Sequence, residues 1–172
     1  VSRPATGHHG RVPPRLRSLH GSLETFAHVA AASPDPERPL DGLDTARALG
    51  ASGIDGPVRL TADGVSVVHA TESVGSRLRR KSLGSLSRSQ LPPTVPLLDD
   101  LCRRHHSHGA LLLDVPDDRT LEAVLAVIRA TSDTLEARVW LCSPVVEHLM
   151  GWRERTTARL VHQARINALP TS

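Results

Sequence analysis

Residues 53–72, reading GIDGPVRLTADGVSVVHATE, restrict the possible folds more than any other stretch of the chain. Two runs of strand formers, 57–60 and 65–69, flank Thr61-Ala62-Asp63-Gly64. An Asp-Gly pair between such runs supplies the positive φ that a tight hairpin turn needs. The segment therefore predicts a strand over 53–58, a tight turn, and a second strand over 65–69 running back beside it. Asp55 and His69 fall near the ends of apolar strand material, where a barrel presents its chemistry.

The same reading extends in both directions. Residues 23–29 predict a first strand ending in Ala27-His28, and 30–39 read as a loop rich in proline. Leu40, Leu43, Ala46 and Leu49 recur at three-residue steps and predict one apolar helix face that stops at Gly50. Residues 71–94 are polar; Arg77, Arg79, Arg80 and Lys81 read as a solvated face. A helix is predicted over 95–105, with Leu97, Leu98 and Leu101 inward. Its end, Arg103-Arg104-His105-His106-Ser107-His108, carries cations that suit the helix C-terminal dipole, and Gly109 fits the stop. These histidines read as exposed helix-end groups rather than a metal site. Residues 110–115 form a buried strand, and Asp117-Asp118 cap a helix with the apolar stripe Leu121, Val124, Leu125 and Ile128. A strand over 138–142 follows, then a helix from Pro144 to Trp152 and a last strand over 158–162.

Strands alternating with helices in this way imply an α/β domain with a largely parallel sheet. Six strands suit an open sheet or part of an eight-stranded barrel. A complete barrel takes about 250 residues, so the chain is short by roughly two strand–helix units.

Composition narrows the partners. The 172 residues suit one domain, read as a flexible basic arm over 1–22 followed by the α/β domain over 23–172. Aromatic residues make up only 2% and tyrosine is absent, so the core must be built from Leu, Val, Ala and Ile. A net charge of +3 gives a mild preference for anionic ligands. Nucleic-acid binding is disfavoured, since neither a recognised motif nor an aromatic stacking platform is present. Cys102 and Cys142 read as reduced, partly buried thiols. No apolar run approaches the roughly 18 residues of a membrane span, and the Arg-, Pro- and His-rich N-terminus lacks a secretory apolar core. Cytoplasm is the default expectation. The chain starts at Val1, which is compatible with an unusual start, processing or a fragment.

The predicted strand ends offer His28, Asp55, His69, Asp114, Cys142 with Ser143, and His162. Acids and histidines gathered there suit metal-assisted hydrolysis or acid–base catalysis. Strand ends are also polar simply because they meet solvent, and on composition alone that is the stronger reading.

From about Leu16 to Ile166 the chain resembles the glycerophosphodiester phosphodiesterase family. Phe26-Ala27-His28 is similar to the opening FAHRG signature, and Pro36-Glu37 with Leu40 and Leu43 to PENTLxAF. Residues 49–54 resemble LGADGIE, and 60–65 reproduce LTADGV. Residues 95–101, VPLLDDL, look like IPTLDEL; 111–115 fall where a strand of LxIEIK type belongs. Trp140-Leu141-Cys142-Ser143-Pro144, Gly151-Trp152-Arg153 and residues 158–162 resemble an actinobacterial-looking branch.

The resemblance implies a TIM-barrel-type α/β domain (PLC-like phosphodiesterase), incomplete after about the sixth strand. It implies hydrolysis of a glycerophosphodiester to an alcohol and glycerol 3-phosphate, in lipid metabolism, with a divalent cation, Mg²⁺ or Ca²⁺, held by carboxylates. His28 matches the first catalytic histidine, while Asp55 and Asp114 fall where the family places metal-binding Glu. Glu37 matches the acid of the PEN segment. Val29 replaces the phosphate-binding arginine, Pro57 a metal-binding Asp and Ala70 the second catalytic histidine, with His69 one place early. Weak or lost hydrolysis is therefore expected, the alternative being a non-catalytic protein that binds a phosphorylated headgroup or a protein partner. An incomplete barrel would also leave its first and last strands unpaired, so self-association through those edges is expected.

Overall fold

The computed structural model describes residues 24–29, 38–75 and 79–164. The N-terminal arm, Pro36, Glu37, Arg77 and Ile166 lie outside the described residues. In chain order the elements are β1 (Phe26–His28), α1 (Gly42–Ala48), β2 (Gly53–Leu60), β3 (Ser66–Val68), β4 (Ser73–Val74), β5 (Lys81–Ser82), α2 (Leu98–His105), β6 (Ala110–Asp114), α3 (Asp118–Thr131), β7 (Val139–Ser143), α4 (Val146–Trp152) and β8 (Arg159–His162). Strands β1-β2-β6-β7-β8 lie side by side and parallel, while β3 pairs antiparallel with the far end of β2. This is the predicted alternation, with a small β4–β5 pair added.

Side chains alternate across each strand. One face of the sheet carries Ile54, Val58, Leu111, Leu113, Val139 and Leu141, all buried against the helices. The helices contribute Leu43, Leu101, Leu125, Ile128 and Trp152 to the same core. The opposite face is curled. Arg159 Nη1 of β8 lies 3.2 Å from the Glu24 carboxylate just ahead of β1. In a flat sheet those strands, four spacings apart, would be separated by about 19 Å. Phe26 and Trp140 also meet edge to face, with ring centroids 5.5 Å apart, although β2 and β6 lie between their strands. The Phe26 ring needs Gly53 beneath it: a Cβ there would sit 2.5 Å from the ring and 2.7 Å from the Ala110 carbonyl oxygen. The sheet is thus part of a barrel wall, with β1 and β8 at its two ends among the described residues.

The hairpin forms as its sequence predicts. Gly64 carries the positive φ (79°), its N–H donates to Thr61 O at 3.0 Å, and Thr61 N–H donates to Val65 O at 3.1 Å. Asp117 caps α3 by accepting the Thr120 N–H at 2.7 Å.

Four expectations change. Leu49 is 84% exposed because three-residue steps drift around a helix of 3.6 residues per turn, and α1 has already ended at Ala48. Helix α2 begins at Leu98; Leu97 instead bridges Val67 of β3. Pro144 lies two residues ahead of α4 rather than in its first turn. The polar stretch 71–94 hides a second small core, in which Val74, Leu83, Leu86 and Leu91 pack with Val67 and Val95.

His105 also departs from expectation. It is 2% exposed, on the same α2 stripe as Leu98, Leu101 and Cys102, whereas His106 and His108 are exposed. Its Nε2–H donates to Ala110 O at 3.2 Å, which leaves Nδ1 as the bare nitrogen facing Arg47 at 3.5 Å. Burial, then the charge of Arg47, with smaller contributions from His108 and Arg138, pushes its pKa down to about 4. The unfolded chain binds this proton near pH 6.5 and the folded chain does not. The contribution of His105 to stability should therefore be constant above pH 6.5, fall on the order of 2 kcal/mol as the pH drops to about 4, and be constant again below. In urea titrations across that window His105→Gln, which keeps the donor to Ala110, should remove this part of the slope; an unchanged slope would place the proton uptake elsewhere.

Candidate active site at the carboxy-terminal ends of the strands

The parallel register fixes which side chains share the inner face. His28 of β1 pairs with Asp55 of β2, and Pro57 pairs with Asp114 of β6, which in turn pairs with Cys142 of β7. Paired residues in adjacent strands lie about 4.8 Å apart and point the same way. His28, Asp55, Asp114 and Cys142 therefore form one group at the carboxy-terminal end of the wall.

The electrostatics report the same grouping. Asp55 has its pKa raised, first by burial and then by the Asp114 charge, with His28 opposing. Asp114 is also raised by burial, against the favourable charges of Arg59 and His28. The buried Cys142 thiol is pushed up to about 12 by burial and by both aspartates, so it stays protonated. Two half-buried carboxylates that repel each other, beside one histidine and one arginine, can bind a cation, an oxyanion, or both through a shared phosphate.

A carboxylic acid with a raised folded-state pKa costs stability once it is ionised, and that cost disappears in acid. Asp55→Asn should therefore raise Tm at pH 7, and the gain should shrink as the pH falls through the carboxylate range. A lower Tm at pH 7 would contradict the repulsion between Asp55 and Asp114.

The other strand-end candidates do not join this group. His69 Nδ1 lies 2.8 Å from Thr71 O and is held within its own loop. Ser143 is fully buried on the helix side and its Oγ accepts the Val145 N–H at 3.2 Å. His162, its partner in register, donates Nε2–H to Pro144 O at 3.2 Å. Pro57 faces the site with no donor or acceptor to offer, and Ala70 is an exposed methyl past the end of β3. Cys102 is buried in the helix-side core, and its thiol is pushed up to about 12 by burial and then by Asp99.

Arg59 is the residue that motif reading misses. It follows Asp55 and Pro57 at alternate positions of β2, hence on the same face, and its charge acts on Asp114. Its Nη1 donates to Val58 O at 2.8 Å, while Nε is buried with no hydrogen-bond partner among the described residues. The two-residue period from Asp55 was the available signal.

Among the described residues, no group of three or more His, Cys, Asp or Glu side chains is placed to hold a metal. Asp55 and Asp114 are thus a two-carboxylate donor set. Mg²⁺ is commonly held by one or two carboxylates, with water and substrate phosphate completing its shell, whereas Ca²⁺ takes six to eight oxygens. The donors present fit Mg²⁺, and a cation between them would relieve their mutual repulsion.

Neither a family model nor a curated protein matches the sequence. Solved structures do. A glycerophosphodiester phosphodiesterase from Thermotoga maritima superposes with a TM-score of 0.66 at 16% identity, over 83% of this chain and 62% of that one. One from Agrobacterium tumefaciens gives 0.62 at 20% identity, over 77% and 63%. An Oleispira antarctica phosphodiesterase, solved with the product sn-glycerol-3-phosphate, gives 0.61 at 16% identity, over 77% and 62%. The fold is therefore the TIM-barrel-type α/β fold of the glycerophosphodiester phosphodiesterases. This chain spans about three fifths of the length of those three proteins. No helix among the described residues is long and apolar enough to cross a membrane.

Proposed function

We propose that this chain is a glycerophosphodiester phosphodiesterase-family protein that binds a glycerophosphodiester at His28, Asp55, Arg59 and Asp114 and hydrolyses it slowly to an alcohol and glycerol 3-phosphate. The observation that carries this reading is the register. It puts His28, Asp55 and Asp114 on one face at one end of the wall, although they are up to 86 residues apart in sequence.

Asp55 and Asp114 would hold a divalent cation, Mg²⁺ by their number and type. Bound there, the cation supplies Lewis-acid stabilisation of the negative charge that grows on phosphate. Arg59 offers its guanidinium to the same phosphate, in place of the arginine that Val29 has replaced. His28 is placed to take a proton from the attacking nucleophile or give one to the leaving alkoxide, but a single histidine cannot stand on both sides of the phosphorus at once. A positioned acid or base contributes about 10²–10⁴ in rate, so the missing second group should cost at least about 10².

The second reading, a protein that binds a phosphorylated headgroup without turnover, is favoured by Pro57 and Ala70, which leave the cation with only two carboxylates and supply no second proton-transfer group. One assay separates the two. Purified protein with Mg²⁺ or Ca²⁺ is incubated with glycerophosphocholine, and glycerol 3-phosphate is measured. Slow release that His28→Ala abolishes supports hydrolysis, whereas release equal to that of His28→Ala leaves only the binding role.

A further inference from the structure

A second charged cavity lies outside the barrel face. It measures about 350 Å³ and is lined by Arg38, Asp41, Arg88, Asp100, Arg103 and Arg104, with Leu40, Pro93 and Pro96 as apolar walls. Four guanidiniums against two carboxylates leave the lining with a net charge of +2. The carboxylates do not neutralise the arginines one by one. Asp41 is shared, 2.8 Å from Arg38 and 3.3 Å from Arg104, and Arg103 turns to Asp99 at 2.6 Å, outside the lining. The Arg88 guanidinium has no ion pair among the described residues.

The cavity is held by rigid parts. Both Asp63 carboxylate oxygens accept the Arg88 backbone N–H, each at 3.1 Å, so the hairpin turn at the end of β2 fixes the position of Arg88. Pro96 O accepts the Val68 N–H at 3.0 Å, which ties the proline wall to β3. Arg38 and Asp41 precede α1 and Pro93 to Pro96 precede α2, while Arg103 and Arg104 come from the last turn of α2, so the cavity lies between the lead-in to α1 and the body of α2. Arg88, Arg103 and Arg104 all line the cavity, and a guanidinium matches the oxygens of a phosphate in geometry as well as charge; a dianion would compete with Asp99 for Arg103. The volume suits a small ligand.

We infer that this cavity is an anion site, separate from the His28 face, that takes a phosphate dianion through Arg88, Arg103 and Arg104. The phosphate could be carried by a small soluble molecule or by a lipid headgroup, and both present the same oxygens.

Calorimetry of the full chain with inorganic pyrophosphate, at low salt and with EDTA to keep the carboxylate face free of cations, tests it. Wild type should bind. Arg88→Gln/Arg103→Gln should bind at least about tenfold more weakly, since each charge-assisted hydrogen bond contributes about that factor or more. Asp100→Asn should bind several-fold more tightly, because it removes a competing carboxylate, and this gain cannot come from a folding defect. His28→Ala should bind like wild type. Co-sedimentation with phosphatidylcholine vesicles, with and without phosphatidic acid, assigns the source. Retention only on phosphatidic acid vesicles, lost in the double variant, indicates a lipid phosphate; pyrophosphate binding without vesicle retention indicates a soluble one. Unchanged pyrophosphate affinity in both Arg88→Gln/Arg103→Gln and Asp100→Asn, or binding lost in His28→Ala, would overturn the assignment.

Discussion

Combining Pro57→Asp and Ala70→His in one protein should raise Mg²⁺-dependent release of glycerol 3-phosphate at least about 10²-fold over the unmodified chain, because a second proton-transfer group contributes about 10²–10⁴ in rate. A third metal ligand adds to the stabilisation of transition-state charge. Val29 is left in place, since its side chain is buried in the helix-side core and an arginine there would be a buried, unpaired charge. Pro57 is the more informative of the two positions. It pairs in register with Asp114 and follows Asp55 at the next inward position, so an aspartate there would complete a three-carboxylate set. Replacing Pro57 restores an N–H to the strand, while the added carboxylate increases the repulsion between Asp55 and Asp114 until a cation binds. If the double variant gains activity, the barrel wall is sound and its inner side chains limit the chemistry. If the folded double variant stays silent, the wall cannot form the pocket without further strand–helix units.

The largest stability effect is expected at Trp152. Its side chain is fully buried, stacks on His148 with ring centroids 5.7 Å apart, and donates Nε1–H to Asp118 at 2.5 Å. Trp152→Ala removes an anchor that closes α4 onto the start of α3, and burial of this kind typically costs about 3–5 kcal/mol on truncation. Trp152→Phe keeps most of the contact area and should cost far less, roughly the net worth of one hydrogen bond to a charged group, about 1.5–3 kcal/mol. Urea unfolding of the three proteins checks the order. Equal losses for Phe and Ala would shift the weight from packing to the Asp118 bond.

Trp152 also shows where sequence reading stops. The order of strands and helices was legible because 110–113 and 139–142 are continuous apolar runs of strand length, and because Leu121, Val124, Leu125 and Ile128 repeat at helical spacing. The hairpin was legible because only Gly64 can easily adopt its φ. Trp152 gave no comparable signal: one aromatic at a helix end could face either way, and only the packing of α4 decides. His105 had a signal in the spacing Leu98, Leu101, Cys102, His105, but the neighbouring run of cations masks it. The small core under 71–94 has no period at all, since Val74 lies in the two-residue β4, Leu83 in a single 3-10 turn, and Leu86 and Leu91 in irregular segments.

Among the candidate site residues, the strand-end positions of His28, Asp55 and Asp114 were legible in the sequence, and the register brings the three onto one face. Arg59 was not, because it carries no motif identity and matters only through alternation from Asp55. The segment that most restricts the fold thus carries both the hairpin and the inward series Asp55, Pro57 and Arg59, of which Pro57 alone offers no polar side-chain group.

The central claim is that Asp55 and Asp114 still bind a phosphate-bearing ligand through a divalent cation. Calorimetric titration of glycerol 3-phosphate with and without Mg²⁺, on the wild-type chain and on Asp55→Asn/Asp114→Asn, tests it most directly. The account predicts a Mg²⁺-dependent component of binding in the wild type that disappears in the double variant. Binding that is indifferent to Mg²⁺, or a Mg²⁺-dependent component that survives the loss of both carboxylates, would contradict it.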